Sequence, residues 1–200
     1  MERYRVRRHK LVEQIRQAIL LSGGSILSES SPTSAPFEYE ILDADGRHLL
    51  LVCYAFTANR YRQRNRPDDE HRFQVKYGSD FSRYHELFLD PSSRVVTLMF
   101  GVHDELGLFV AVDPRMHNPT WFSRSVEFKT ADLESALATG WHGWERERSW
   151  ARRKRLMPLE NLQTETLIAF TPEHLLRFVD FEAQTSGLDT GERLYASDTV

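Results

Sequence analysis

The chain has 200 residues, 40% of them hydrophobic and 12% aromatic, enough to build a core, with a formal net charge of -3. No apolar run approaches the roughly 18 residues of a membrane span, and no long apolar segment follows the basic N-terminal residues, so neither an anchor nor a secretory leader is expected. The single cysteine, Cys53, excludes an internal disulfide and a thiolate zinc centre, and a cytoplasmic location is the expectation.

Residues 3–22 carry Val6, Leu11, Val12, Ile15, Ala18, Ile19 and Leu20 at helical spacing, with Gly23 and Gly24 as the stop. Arg3, Arg5, Arg7, Arg8 and Lys10 crowd the first turns, where cations oppose the helix dipole. A basic arm held by a partner and a chance run on an exposed terminus both fit. The Ser- and Pro-rich stretch 25–36 reads as a loop. Residues 37–42 alternate apolar and acidic, the mark of a half-buried strand, and after a turn at Asp43, Ala44, Asp45 and Gly46 the apolar run 48–56 is expected as a central strand. Arg60, Arg62, Arg64 and Arg66 then occupy alternate positions, which an extended segment would align on one face against a phosphate backbone. Asp68, Asp69 and Glu70 follow and offer that ladder neutralisation instead.

A third strand is expected at 71–78, a short helix at 80–89, and a second hairpin at 94–102 and 106–112 turning through His103, Asp104 and Glu105. A loop at 115–124 carries His117, Asn118 and Trp121, and a strand follows at 125–129. A helix at 132–138 stops at Gly140. A last strand at 162–170 leads to a helix at 172–186, opened by Thr171 and Pro172. These elements make residues 1–187 one α+β domain, with 188–200 a flexible polar tail. Its expected centre is a curved, mostly antiparallel sheet of roughly six or seven strands, with the N- and C-terminal helices packed on it.

The densest chemical signal begins at Gly140. Trp141, Trp144 and Trp150, three of the four tryptophans, stand beside Arg146, Arg148, Arg152, Arg153, Lys154 and Arg155. In one reading Trp141 and Trp144, three apart, share the face of a helical turn and cap the core. In the other, the rings form a stacking shelf, with Trp121 and His142 as a second wall and Asn118, Ser123 and Glu145 as polar groups for a base edge. Each stacked base then contributes about 1–3 kcal/mol, and Arg152, Arg153 and Arg155 supply phosphate contacts independent of sequence.

Gln74, Val75 and Lys76 sit on the expected third strand, after a helix and a hairpin. Over residues 1–101 this order resembles the PD-(D/E)xK nuclease core, with Gln74 in place of an acid and Lys76 at the lysine position. The resemblance implies a site in which carboxylates, here Asp43, Asp45 and Glu70 with Glu13 as an accessory, hold Mg2+ or Mn2+ for phosphodiester hydrolysis. The run 48–56 departs from the family in containing no acid. An ordinary strand with Lys76 in solvent is the alternative. His103, Asp104 and Asp113 are a second conceivable metal set. No nucleophile elbow, P-loop or dinucleotide turn is present.

The blocks 125–129, 140–146 and 170–176 resemble segments of bacterial proteins of the restriction and phage-defence type, over residues 70–187. That resemblance implies a domain recognising nucleic acid, joined in relatives to a separate nuclease domain or subunit. The leading expectation is therefore a DNA-recognition module needing no cofactor. Its aromatic pocket would be Trp121, Trp141, His142 and Trp144. Its basic rim would be Arg60, Arg62, Arg64, Arg152, Arg153 and Arg155. A metal-dependent endonuclease is the alternative, and an interaction protein without a continuous positive groove a third. A partly closed barrel resembling the PUA-like base-reading folds and a restriction-nuclease core are the two forms such a sheet would take.

Overall fold

Helix α1 (Glu2–Leu21) follows from its spacing: Leu11, Val12, Ile15, Ala18 and Ile19 are its buried positions, three and four apart. It ends where the Ser22 hydroxyl donates to the Ala18 carbonyl at 2.7 Å, satisfying an orphan acceptor of the last turn. The computed structural model describes residues 2–31, 35–60, 67–78, 80, 82–91, 94–121, 124–147 and 164–199, with the backbone alone described for 2–7 and Trp121.

The strands are β1 (Ser25–Glu29), β2 (Phe37–Leu42), β3 (His48–Arg60), β4 (Glu70–Val75), β5 (Tyr84–His85), β6 (Val95–His103), β7 (Leu108–Val112), β8 (Thr120–Trp121), β9 (Arg124–Lys129), β10 (Trp141–Glu147) and β11 (Thr164–Phe170). Nine form one sheet in the order β1-β2-β3-β6-β7-β11-β10, with β4 and β9 branching from the far end of β3. Every pairing in it is antiparallel except β3 with β6. β5 and β8 form a separate two-stranded ribbon. The sheet order begins at β1 and ends at β10 without returning, so the sheet is open and the expected PUA-like barrel is not formed.

Both faces of β3 are buried from Leu51 to Phe56, which is why that run is apolar without alternation. Leu51, Cys53 and Ala55 join the core beneath α1 and helix α3 (Leu175–Thr185), with Phe100, Phe109, Phe170, Phe178 and Phe181. Val52, Tyr54 and Phe56 join the other core, beneath helix α2 (Thr130–Thr139), with Phe73, Val110, Phe128 and Leu167. Cys53 is buried, and burial pushes its thiol above the usual range, as suits an inert core residue.

Four sequence expectations change. The loop expected at 25–36 contains edge strand β1, whose one inward side chain, Ile26, gives no apolar alternation to read. The helix expected at 80–89 is irregular around β5. There the backbone N–H groups of Leu87 and Phe88 donate to the side chains of Asn118 and Tyr54, at 2.7 and 2.8 Å, rather than to a helical ladder. The helical turn expected at Trp141 and Trp144 is strand β10. The tail contains helix α4 (Thr190–Ser197), opened by a reciprocal cap between Asp189 and Glu192. Buried Arg193 anchors it to Glu182 at 2.7 Å and Thr185 at 2.9 Å. No helix among the described residues is long and apolar enough to cross a membrane.

Candidate nucleic-acid interface

The tryptophan stretch resolves into structural roles position by position. Gly140 ends α2 with φ of +80°, a left-handed conformation that suits glycine. Trp141 is only 8% exposed and lies among Phe170, Phe178 and Phe181. Its Nε1 donates to the Ser197 carbonyl at 2.9 Å, and the Arg177 guanidinium lies 4.3 Å from the ring centroid. This ring is packed beneath α3 and α4, among core aromatics rather than on an open shelf. A Cβ on Gly143 would stand 2.2 Å from the Ser197 hydroxyl, so the second glycine admits α4 against the strand.

His142, Trp144 and Arg146 point to the other face. The rings of His142 and Trp144 stack, with centroids 5.4 Å apart, and Trp144 packs on the second core. Arg146 pairs with the fully buried Glu165 carboxylate, which also meets His117 Nε2 at 2.8 Å. Burial of the Glu165 carboxylate is tolerable because Arg146 pairs with it and His117 hydrogen-bonds to it. The groove beside Trp144, about 450 Å³, is lined by Glu70, Glu127, Asp132, Glu145 and Glu147 against Lys129 and Arg146. Among the described residues five carboxylates face two cations there, a balance that suits phosphate poorly. Asn118, expected to read a base edge, instead accepts from the Leu87 N–H. Arg62, Arg64, Arg66, Ser123, Arg148, Trp150 and the cluster Arg152, Arg153, Lys154 and Arg155 lie outside the described residues, as does the Trp121 side chain.

Cations gather elsewhere. On β4, Phe73 and Val75 turn into the second core, so Arg72 and Gln74, with Lys76 just beyond the strand, share the opposite face. Asn59 of β3 is the cross-strand partner of Arg72. Arg8 of α1 approaches from above, and these five line one concavity of about 350 Å³ with Leu11, Phe37 and Thr57. No carboxylate lines it among the described residues. Arg60, at the end of β3, uses its Nε to hold the Asp68 carbonyl at 2.7 Å. Sequence reasoning found Gln74 and Lys76 for a different chemistry and Arg8 only as part of a basic arm, and it missed Asn59 and Arg72. The alternation of Arg72, Gln74 and Lys76 was the available signal.

The proposed metal ligands do not converge. β3 is 13 residues long, so at about 3.3 Å per residue its ends are roughly 40 Å apart. Asp43 and Asp45 lie at its start and Glu70 beside its end. Asp43 is committed to the turn, accepting from the backbone N–H of Asp45 at 2.9 Å and of Arg47 at 2.8 Å and pairing with the Arg47 guanidinium. Those bonds and the Arg47 charge hold its carboxyl below the usual range against desolvation. Glu13 meets Arg16 at 3.3 Å. Of the second set, Asp104 pairs with Lys10, Asp113 faces Arg193 at 3.7 Å, and His103 Nε2 meets His71 Nδ1 at 2.9 Å. No cluster of three metal-ligating side chains forms among the described residues. Among the described residues, the carboxylates expected of a PD-(D/E)xK core do not gather at Lys76, which lines a concavity with Arg8, Asn59, Arg72 and Gln74.

No curated protein and no solved structure matches this chain. The model of one protein family, described as Methylase-associated X1, matches residues 50–179, from within β3 to within α3. The match covers well over half of the chain, which therefore belongs to the methylase-associated X1 family.

Proposed function

We propose that this protein is a DNA-recognition module of a restriction or phage-defence system, working alongside a methylase and holding DNA through the basic concavity between α1 and β4. The observation that carries the reading is the convergence of Arg8, Arg72 and Lys76 with the amides of Asn59 and Gln74 on one concavity, which no carboxylate lines among the described residues, in a chain whose net charge is -3. Guanidinium and ammonium groups neutralise phosphates, while amides donate to phosphate and sugar oxygens. The family's association with methylases supports a DNA setting. The stacked His142 and Trp144 take no part in this reading, because they lie on the opposite face, where Trp144 lines a groove whose described residues are mostly acidic.

The test is a fluorescence-anisotropy titration of methylated and unmethylated duplexes and of single strands, across a salt series. Binding should weaken steeply with salt. Lys76→Ala and Arg72→Gln should each reduce the salt slope by about 1, and Trp144→Ala should leave it unchanged. Failure of every DNA to bind at low salt, or a slope insensitive to both cation variants, overturns the reading.

A further inference from the structure

The reverse face of β2 and β3 carries a groove of opposite character. Its volume is about 780 Å³, and no lysine, arginine or histidine lines it among the described residues. Its floor is Leu50, Val52 and Tyr54, with Tyr77 set edge-on to Tyr54 at 5.0 Å between centroids. Leu50 is 38% exposed and Phe88 49% exposed. The exposure of Phe88 is built in, not a frayed end. Its N–H donates to the Tyr54 hydroxyl at 2.8 Å, and its carbonyl accepts from the Thr97 hydroxyl, also at 2.8 Å. The neighbouring Leu87 is buried, so the backbone is pinned while the phenyl ring faces the groove.

Around this apolar floor stand Glu38, Glu40 and Glu86. Glu40 is engaged by Ser28 and His48, at 2.8 and 2.7 Å. Glu38 and Glu86 have no ion-pair partner among the described residues. At one side the groove reaches Ser28 and Ser30, at the β1 edge of the sheet, where no described strand pairs on the outer side.

We infer that this groove docks an extended segment of a partner protein in which arginine or lysine alternates with apolar residues. The carboxylates repel DNA and anionic lipid but complement basic side chains. Tyrosine and phenylalanine faces attract cations and accept apolar stems. A strand edge offers backbone pairing to an extended chain. The volume holds several side chains, too much room for a lone ion. The inference does not depend on the DNA reading, since it uses the opposite face of β2 and β3 and other side chains.

The test uses the full chain and a short fluorescein-labelled peptide alternating arginine with leucine, beside its counterpart with glutamate for arginine. The arginine peptide should bind and the glutamate peptide should not. The double variant Glu38→Gln/Glu86→Gln should weaken binding about tenfold, from two exposed ion pairs. Phe88→Ser should weaken it to a similar degree. Amide exchange should show protection along β1, β2 and residues 86–88, and saturating duplex DNA should not displace the peptide. Equal binding of both peptides, indifference to the two glutamines, or protection confined to the Arg8–Lys76 face overturns the proposal. So does concentration-dependent self-association abolished by Phe88→Ser, because the occupant would then be a second copy.

Discussion

Replacing Trp141 by alanine separates a core residue from a base-stacking one. Removal of a buried tryptophan side chain costs about 3–5 kcal/mol, transfer and cavity terms together. Trp141 belongs in the upper part of that range, since it fills the space between β10 and α3 and is ringed by Phe170, Phe178 and Phe181. Within that figure lie the bond to the Ser197 carbonyl, about 1 kcal/mol, and the Arg177 contact, about 0.5–1 kcal/mol. For a chain of this size each kcal/mol moves the melting temperature by about 2–4 °C, so a drop of roughly 10 °C or more is expected. Trp141→Phe keeps most of the ring volume and loses the hydrogen bond, so it should fall between alanine and wild type. Urea denaturation followed by circular dichroism gives the stabilities, and DNA titration under native conditions gives the affinity of the folded fraction. Loss of stability with near-normal affinity is expected. A Trp141→Ala protein destabilised by less than about 1 kcal/mol yet unable to bind DNA would mean that the indole is a stacking shelf and that the burial argument is wrong.

Gly143→Ala should destabilise by about 1–3 kcal/mol through overpacking against α4. Ser197→Gly in the same chain should recover part of the loss, because it removes the two closest atoms the new methyl would meet, Oγ at 2.2 Å and Cβ at 3.0 Å, and leaves Ile168 Cδ1 at 3.2 Å; additive losses in the double-mutant cycle would refute that contact. A second expectation concerns acid. His71 and His103 are held below the ordinary histidine value, His71 first by burial and then by the charge of His103, and His103 first by burial. Neutral imidazoles are therefore favoured in the fold, and stability should be lost as pH falls below about 6.5, where the unfolded chain takes up these protons. Glu182, pushed by burial from 4.5 up to about 7, has the opposite slope, stabilising below its unfolded value and losing that contribution as pH rises through about 7. The informative quantity is thus the difference between wild type and His103→Gln across pH 5 to 7.5, which should shrink as pH falls; a constant difference would remove the histidine pair from the account.

How much of this was legible in the sequence depends on whether a residue's role is set locally. The face of α1 was readable because Leu11, Val12, Ile15, Ala18 and Ile19 declare it at helical spacing. β2 was readable because one of its faces meets the core and the other carries Glu38 and Glu40. β10 was not. Both its faces meet cores, so Trp141 and Trp144 give no alternation, and Gly143 reads as a breaker until α4 arrives far downstream to need the space. The same reason explains the misread tail: α4 is held by the buried Arg193 with Glu182 rather than by an apolar stripe.

Charge proximity along the chain proved a poor guide to charge proximity in space. Arg146 adjoins the basic run, but β10 delivers it to Glu165. Arg8 and Lys76 lie on separate elements, yet α1 and β4 bring both to one concavity. The span matched by the family carries Asn59, Arg72, Gln74 and Lys76, the strand side of that concavity, while Arg8 and α1 lie before it. Likewise Tyr54, Tyr77, Glu86 and Phe88 of the acidic groove fall inside the span, and Glu38 and Glu40 fall outside it. In both places the matched strands supply the wall, and the elements before residue 50 complete the enclosure. Grafting a different N-terminal helix and hairpin onto the same β3–β4 scaffold would therefore change the depth and charge of each surface while leaving the Arg72–Lys76 row in place.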